Sequence, residues 1–287
     1  MPKGVCVSSE SSDAPLIDPE DFPGWILFED DDLLVLNKPG WLVCHPSKNG
    51  PWSSLVGAAK EYLRVDSIHL ASRLDRETSG VVLLAKHRKA ASLWQKGIER
   101  KTVRRSYFVI LRGELSERRE LSTFLGKDPD SSVFVKQRVV DRTRTSKRAE
   151  SIFEPLGVSR GFSFCVVSTK TGRKHQIRAH AQYMGHELVG EKLYGPDESI
   201  YLQFCEGGWQ PDWLDLLGMS RQALHGRSLG FVRGGPVFYA DLAADLRTYL
   251  KDAMGLGQEE VRALVERGDE WARKEAEKEL SCLNEEE

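Results

Sequence analysis

The 287 residues hold five cysteines, at positions 6, 44, 165, 205 and 282, and no C-x-x-C. A disulfide framework or a zinc site needs clustered spacings, so neither is expected, and the scatter suits a reducing, cytoplasmic setting. No apolar run approaches the roughly 20 residues of a membrane span. The opening MPKGVCVSSESSDAP has no apolar segment of the secretory kind, so no leader is expected. G-x-G-x-x-G, a Walker loop, H-E-x-x-H and G-x-S-x-G are all missing, which argues against a nucleotide cofactor, a zincin and a hydrolase elbow. His175 and His180 are five apart and would project about 140° from each other on a helix. No metal is expected.

Charge of one sign is scarce at the ends. Residues 1–32 carry one base against nine acids, and 251–287 carry six against twelve. The body, 33–250, therefore holds 34 bases and 22 acids, a net of +12 inside a chain of net charge -2. A basic body with acidic ends is the footprint of a polyanion-binding surface. The plainer alternative is a solvated surface of Lys and Arg.

Along the chain, 1–24 is Ser-, Asp- and Pro-rich and is expected to be disordered. Trp25 to Glu29, Leu33 to Asn37 and Leu42 to Cys44 read as strands, and a helix is expected from Ser53-Ser54 to Leu63. His87 to Arg100 has amphipathic spacing, with Ala91, Trp94 and Ile98 inward. A strand follows the basic cluster before Tyr107. Residues 116–148 read as a basic hairpin suited to a phosphate backbone. Strands are expected at Ala149 to Glu154, Phe162 to Ser168, Ala223 to Val232 and Val237 to Ala240. Helical spacing runs from Arg173 to Met184 and through Asp241 to Lys251. Gln258 to Leu280 reads as a charged terminal helix. Strands joined mostly by turns, with helices inserted, predict an α+β fold.

One stretch organises the rest: H-L-A-S-R-L-D-R-E-T-S-G-V-V-L-L-A-K, residues 69–86. Its apolar run from Val81 to Ala85 predicts a buried strand, and the polar knot before it a loop. Asp75 lies between Arg73 and Arg76, and a nearby arginine would keep it ionised, fit to act as nucleophile or base. An ordinary turn capped by Asp and Ser is the bland alternative. Ser79 has no His at useful spacing and reads as a turn residue.

Taken together, four segments resemble the RluA-type RNA pseudouridine synthases: R-L-D-R-E-T-S-G-V-V-L-L-A-K, the upstream N-K-P-G-W-L-V-C-H-P, the downstream T-G-R-K-H-Q-I-R-A-H-A-Q-Y-M-G-H-E-L-V-G-E-K-L-Y-G, and A-L-H-G-R-S-L-G-F. They occur in the family's order and span roughly residues 25–250. The resemblance implies a pseudouridine synthase fold, a mostly antiparallel mixed sheet with flanking helices around a central catalytic cleft. It also implies cofactor-free isomerisation of uridine in RNA. Asp75 matches the catalytic aspartate, attacking the ribose or deprotonating it. Tyr107 matches the tyrosine that stacks on the target base, and Arg178 the basic residue paired with the aspartate. Arg73 matches an arginine that fills the gap left by a flipped base. Arg76, Arg173, His175, Gln176 and Leu224 are expected to contact substrate. Without the resemblance, Tyr107 would read as a core aromatic and Arg178 as a solvated helix residue.

Two departures stand out. Ser72 occupies the place of the family's usual His, and residues 1–24 are too short for the S4-type RNA-binding domain of many relatives. The expectation is a monomeric catalytic domain, 25–254, acting on ribosomal or transfer RNA. The acidic helix, 255–287, lies beyond the matched region and is expected to be dispensable. A silent RNA-binding factor on the same fold and a carboxylate glycosidase are the rivals. The second needs a partner acid, for which Glu77 is the near candidate.

Overall fold

A computed structural model describes residues 15–45 and 49–285. Eleven strands form one sheet: β1 (Ile26–Glu29), β2 (Leu33–Lys38), β3 (His69–Leu70), β4 (Ser79–Ala85), β5 (Val103–Arg112), β6 (Arg119–Lys127), β7 (Gln137–Val140), β8 (Lys147–Ser159), β9 (Phe162–Thr169), β10 (Leu224–Phe231) and β11 (Val237–Tyr239). Their order is β1-β2-β4-β10-β5-β9-β8-β6-β7, with β3 beside β4 and β11 beside β10. Every pairing is antiparallel except β4 with β10. The helices are α1 (Leu55–Leu63), α2 (Arg88–Glu99), α3 (Gln176–Tyr183), α4 (Ser199–Gly207), α5 (Trp213–Leu217), α6 (Ala244–Asp252) and α7 (Gln258–Glu285). The expected α+β architecture is the observed one.

The period-2 rule explains how helices flank both faces. In β2 and β4, Leu34, Leu36, Val82 and Leu84 pack toward α1, while Leu33, Val35, Val81 and Leu83 pack toward Trp94 of α2. In β5 and β9, Phe108, Ile110, Phe164 and Val166 pack with α6 and α7, whereas Val109, Leu111, Cys165 and Val167 face Ile177 of α3. A strand covered on both faces reads as an unbroken apolar run, as β4 does.

The parallel β4–β10 contact depends on Gly80. Its φ is +114°, and a Cβ there would lie 2.1 Å from the Gly226 carbonyl oxygen. Only glycine lets the loop before β4 enter the sheet beside β10.

Several expectations are corrected. Residues 42–44 are not a strand. The carbonyls of Val43 and Cys44 accept the N–H groups of Leu55 and Val56, so this segment caps the start of α1. Residues 15–24 are ordered: Ile17 and Phe22 are buried in the α1 core, and Ile17 N donates to Trp52 O. The remainder of the expected disordered segment, 1–14, lies outside the described residues, as does Pro46 of the upstream motif. The short helices α4 and α5 were not anticipated.

The terminal helix also differs from its reading. Val261 and Leu264 of α7 join the core with Phe108 and Leu156, and Val265, Trp271 and Ala272 pack against it. At Gly268 a Cβ would come within 2.6 Å of the Phe108 ring, so the helix lies almost on the sheet. Asp269 accepts both Arg227 Nε and Nη2, at 2.9 and 2.7 Å. The first half of the helix packs into the core.

Candidate active site

The loop between β3 and β4 presents Asp75, and three buried cations hold that loop from beneath. Lys38 Nζ donates to the carbonyls of Pro39 and Leu42, each at 2.9 Å, and of Arg76 at 3.1 Å. Burial brings its pKa down to about 7. Lys192 Nζ binds Glu77 Oε2 at 2.9 Å and sits among the rings of Trp41, Phe204 and Trp209. Arg221 reaches Glu77 O at 3.0 Å and Ser79 Oγ at 3.1 Å, while Asp245 holds its other side. A loop carbonyl bonded to a buried cation cannot shift without leaving that charge unsolvated. Asp75 is therefore preorganised through its neighbours.

Its carboxylate meets Arg178 from α3. Nη1 of Arg178 lies 3.1 Å from Asp75 Oδ2, and its Nε and Nη2 clasp Glu191 at 2.7 and 2.6 Å. Glu191 in turn accepts the N–H groups of Leu193 and Tyr194. The arginine is thus aimed, not merely present: two donors are fixed by Glu191 and one is left for Asp75. Burial pushes the Asp75 carboxyl up, but His175, Arg178 and Arg73 together bring it below its ordinary value. Burial beside Arg178 holds His175 at about 4. At neutral pH the imidazole is uncharged, and Arg178 is the cation that keeps Asp75 ionised.

His175 adopts φ 54°, an unusual backbone for a residue entering a helix, and this brings its ring to the cleft. The Tyr194 hydroxyl accepts the Gln137 N–H at 2.9 Å, leaving its own proton for His175 Nδ1, also at 2.9 Å. The imidazole proton then sits on Nε2, which lies 3.9 Å from Asp75 Oδ2.

Tyr107 completes the cleft from β5, opposite Gly226 of β10. Together with Asp75 and Arg178, the lining takes in Arg73, Arg173, His175, Gln176 and Leu224. Two expectations change. Arg76 does not line the cleft; its guanidinium lies over Phe204 at 5.6 Å. Gln176 borders the cleft, but its amide is committed to Glu150 O, Ser151 Oγ, Thr171 Oγ1 and Arg173 N, so it fixes the turn before α3.

Sequence reasoning missed Glu191, Tyr194, Lys38, Lys192 and Arg221. Four of these stand within or beside the quoted motifs, as buried polar residue types that demand partners. Ser79 is also corrected, since its Oγ lies 2.9 Å from His225 Nδ1. Both groups are fully buried, and burial takes His225 down to about 3, so the pair anchors β4 to β10 and is not a nucleophile–base couple.

Glu191→Gln tests the clasp. It leaves Arg178 with one carboxylate and is expected to cost about 3 kcal/mol of stability, as breaking a buried ion pair does. Turnover should drop about a hundredfold through lost alignment. A thermal melt and a single-turnover assay check both; an unchanged rate would contradict the alignment role.

Comparisons with known proteins identify the chain's relatives. A family model described as RNA pseudouridylate synthase matches residues 32–183. Uncharacterized RNA pseudouridine synthase YjbO of Bacillus subtilis is 30% identical over 81% of this chain and 77% of its own length. Ribosomal large subunit pseudouridine synthase C of Escherichia coli is 32% identical over 73% of this chain and 62% of its own. Some relatives are longer: the chain spans 64% of Bacillus subtilis YhcT. The solved structure of human RNA Pseudouridylate Synthase Domain Containing 4 covers 81% of this chain and 94% of that one, at TM-score 0.62 and 21% identity, and so shares the fold. By this match and these identities, the chain belongs to the RNA pseudouridine synthase family of isomerases.

Proposed function

We propose that the chain converts specific uridines of ribosomal or transfer RNA to pseudouridine, with Asp75 as the essential group, acting as a cytoplasmic monomer without a cofactor. The observation that carries this reading is the Asp75 carboxylate, held ionised by Arg178 and facing a cleft walled by Tyr107. A uridine swung out of its stack would place its ribose against Asp75 and its base against Tyr107. Asp75 attacks the ribose or deprotonates it; the bond to N1 breaks, the uracil turns, and C5 bonds to the ribose as the Asp75 ester breaks or as Asp75 returns the proton it took. The C5 proton leaves with the help of Tyr107 and N1 gains one, so the product is an isomer. Arg73, exposed at the rim, fills the vacated stack.

The glycosidase rival lacks its second acid. Asp75 is the one carboxylate among the described residues lining the cleft, and Glu77 is tied to Lys192. The silent-binder rival leaves the aimed Arg178 without a purpose. Mapping pseudouridines in ribosomal and transfer RNA from cells with and without this gene tests the proposal. A small set of sites should vanish with the gene; no change in either pool would contradict it.

The described residues hold no cluster of three or more His, Cys, Asp or Glu fit to hold a metal. Activity on an unstructured oligonucleotide should therefore survive EDTA. Loss to the chelator, restored by one divalent ion, would contradict the carboxylate mechanism.

A further inference from the structure

The back of the sheet carries a second concave surface, between the strand ends and the distal turns of α7. It is a polar cavity of about 500 Å³. The sheet side lines it with Lys101, Arg104, Arg118, Arg148 and Lys170 against two carboxylates, Glu120 and Glu150, a local excess of three positive charges. From α7 come Glu275, Lys278 and Glu279. Arg104 is 8% exposed, and its Nη2 has no hydrogen-bond partner among the described residues. A buried guanidinium with an unused donor at a polar cavity is a site for an anion's oxygen.

The two halves of α7 are held differently. Up to Ala272 a run of apolar contacts holds the helix, with the Asp269–Arg227 pair beside it. Beyond Arg273, Ala276 is the one buried apolar side chain among the described residues and Leu280 is half-buried, so ion pairs supply most of the remaining contacts. Arg118 clasps Glu275 at 3.0 and 2.9 Å, while Arg104 and Lys170 approach Glu279 at 3.0 and 3.1 Å. The glutamates of these pairs are buried, so only a polyanion that offers the same arginines and lysine equivalent contacts can replace them.

The cavity lies across the sheet from the cleft, at the same strand ends: Thr169 and Thr171 line the cleft, and Lys170 between them lines the cavity on the other face. Arg173 of the cleft donates through Nε to Arg148 O at 2.9 Å, and the Arg148 side chain reaches the cavity. An RNA strand that left the cleft over Arg173 and rounded these strand ends would meet Arg148 and then the cradle.

We propose that this cradle docks the phosphate backbone of the RNA that enters the cleft, and that Glu275 and Glu279 occupy it until RNA displaces the distal turns of α7. The inference rests on the RNA reading of the cleft. Neutralising either acid then tightens RNA binding, although it removes contacts from the folded protein.

Filter binding of a uridine-containing oligonucleotide to the full chain tests this, with Glu275→Gln and Glu279→Gln beside the control Glu259→Gln on the exposed start of α7. The first two should bind several-fold tighter than the control at low salt. The logarithmic salt slope should steepen by about 0.7 for each phosphate gained. Lys101→Ala, at the rim, should weaken binding and flatten the slope. Equal affinity in all three Glu variants overturns the proposal. Hydrogen exchange gives a second readout independent of any variant's folding. Saturating RNA should speed amide exchange over residues 274–281, whereas unchanged or slower exchange there overturns the displacement. Isomerisation of the same RNA, followed by tritium release from C5, separates the two readings. Release without any response of α7 sinks this inference alone; no release and no binding sink the RNA reading beneath it.

Discussion

Cutting the chain after Gly255 is expected to abolish stable folding. The cut removes Leu256, Val261 and Leu264, all buried, and Val265, Trp271 and Ala272 packed against them. Full burial of one large apolar side chain contributes about 1.5 to 3 kcal/mol. Three or four together match the roughly 5 to 15 kcal/mol that holds an average domain folded. The cut also bares Phe108 and Leu156 to water and strips Arg227 of its bidentate partner Asp269. The expected product is insoluble, or compact without near-UV circular dichroism. Cutting after Arg273 instead keeps the apolar half of α7 and should leave a cooperative melt. Equal melting of the Gly255 truncation and the full chain would contradict this account of the core.

The same helix shows what was legible in the sequence and what was not. Val261, Leu264, Val265, Trp271 and Ala272 follow helical spacing and form a stripe among charges. The stripe was there to be read, but an acidic composition outweighed it. The central loop was easier, because a polar knot ending in Gly80 and followed by an unbroken apolar run has few other readings. Residues 42–44 have the strand's composition, yet they cap α1, since their carbonyls meet the free N–H groups of that helix before any strand can. Apolar content alone does not reveal where backbone groups go.

Within the site, Asp75 was legible from its own stretch, Tyr107 and Arg178 came from the resemblance, and the cleft brings all three together. What no spacing could show is the clasp by Glu191, which turns Arg178 from a charge into an aimed donor. Nor could it show the fold bringing His225 to Ser79 across 146 positions. Pairings of this length are set by strand order, and strand order is decided by the whole sheet. The difference between Arg76 and Arg73 is likewise one of direction: two positions of one loop, three residues apart, send one guanidinium to Phe204 and the other to the cleft.

The central claim is that Asp75 performs the chemistry while the basic surface performs the binding. Asp75→Asn keeps the shape of the side chain and removes its charge, and an amide is a far poorer nucleophile and base. Arg178 keeps its bidentate partner Glu191, so the fold should hold. RNA affinity rests on phosphate contacts to Lys and Arg, and neutralising one acid near them should leave it equal or slightly raised. Turnover should fall by several orders of magnitude. In the wild type, activity should persist down to the ordinary aspartate range. The Asp75 carboxyl lies below its usual 3.8, so ionisation is lost only as pH falls through that lowered value. The decisive measurement is tritium release from RNA labelled at C5 of uridine, with filter binding at matched salt. The account predicts release by the wild type, background release by Asp75→Asn, and equal binding by both. Release at the same rate from the two proteins would show that Asp75 is not the catalyst.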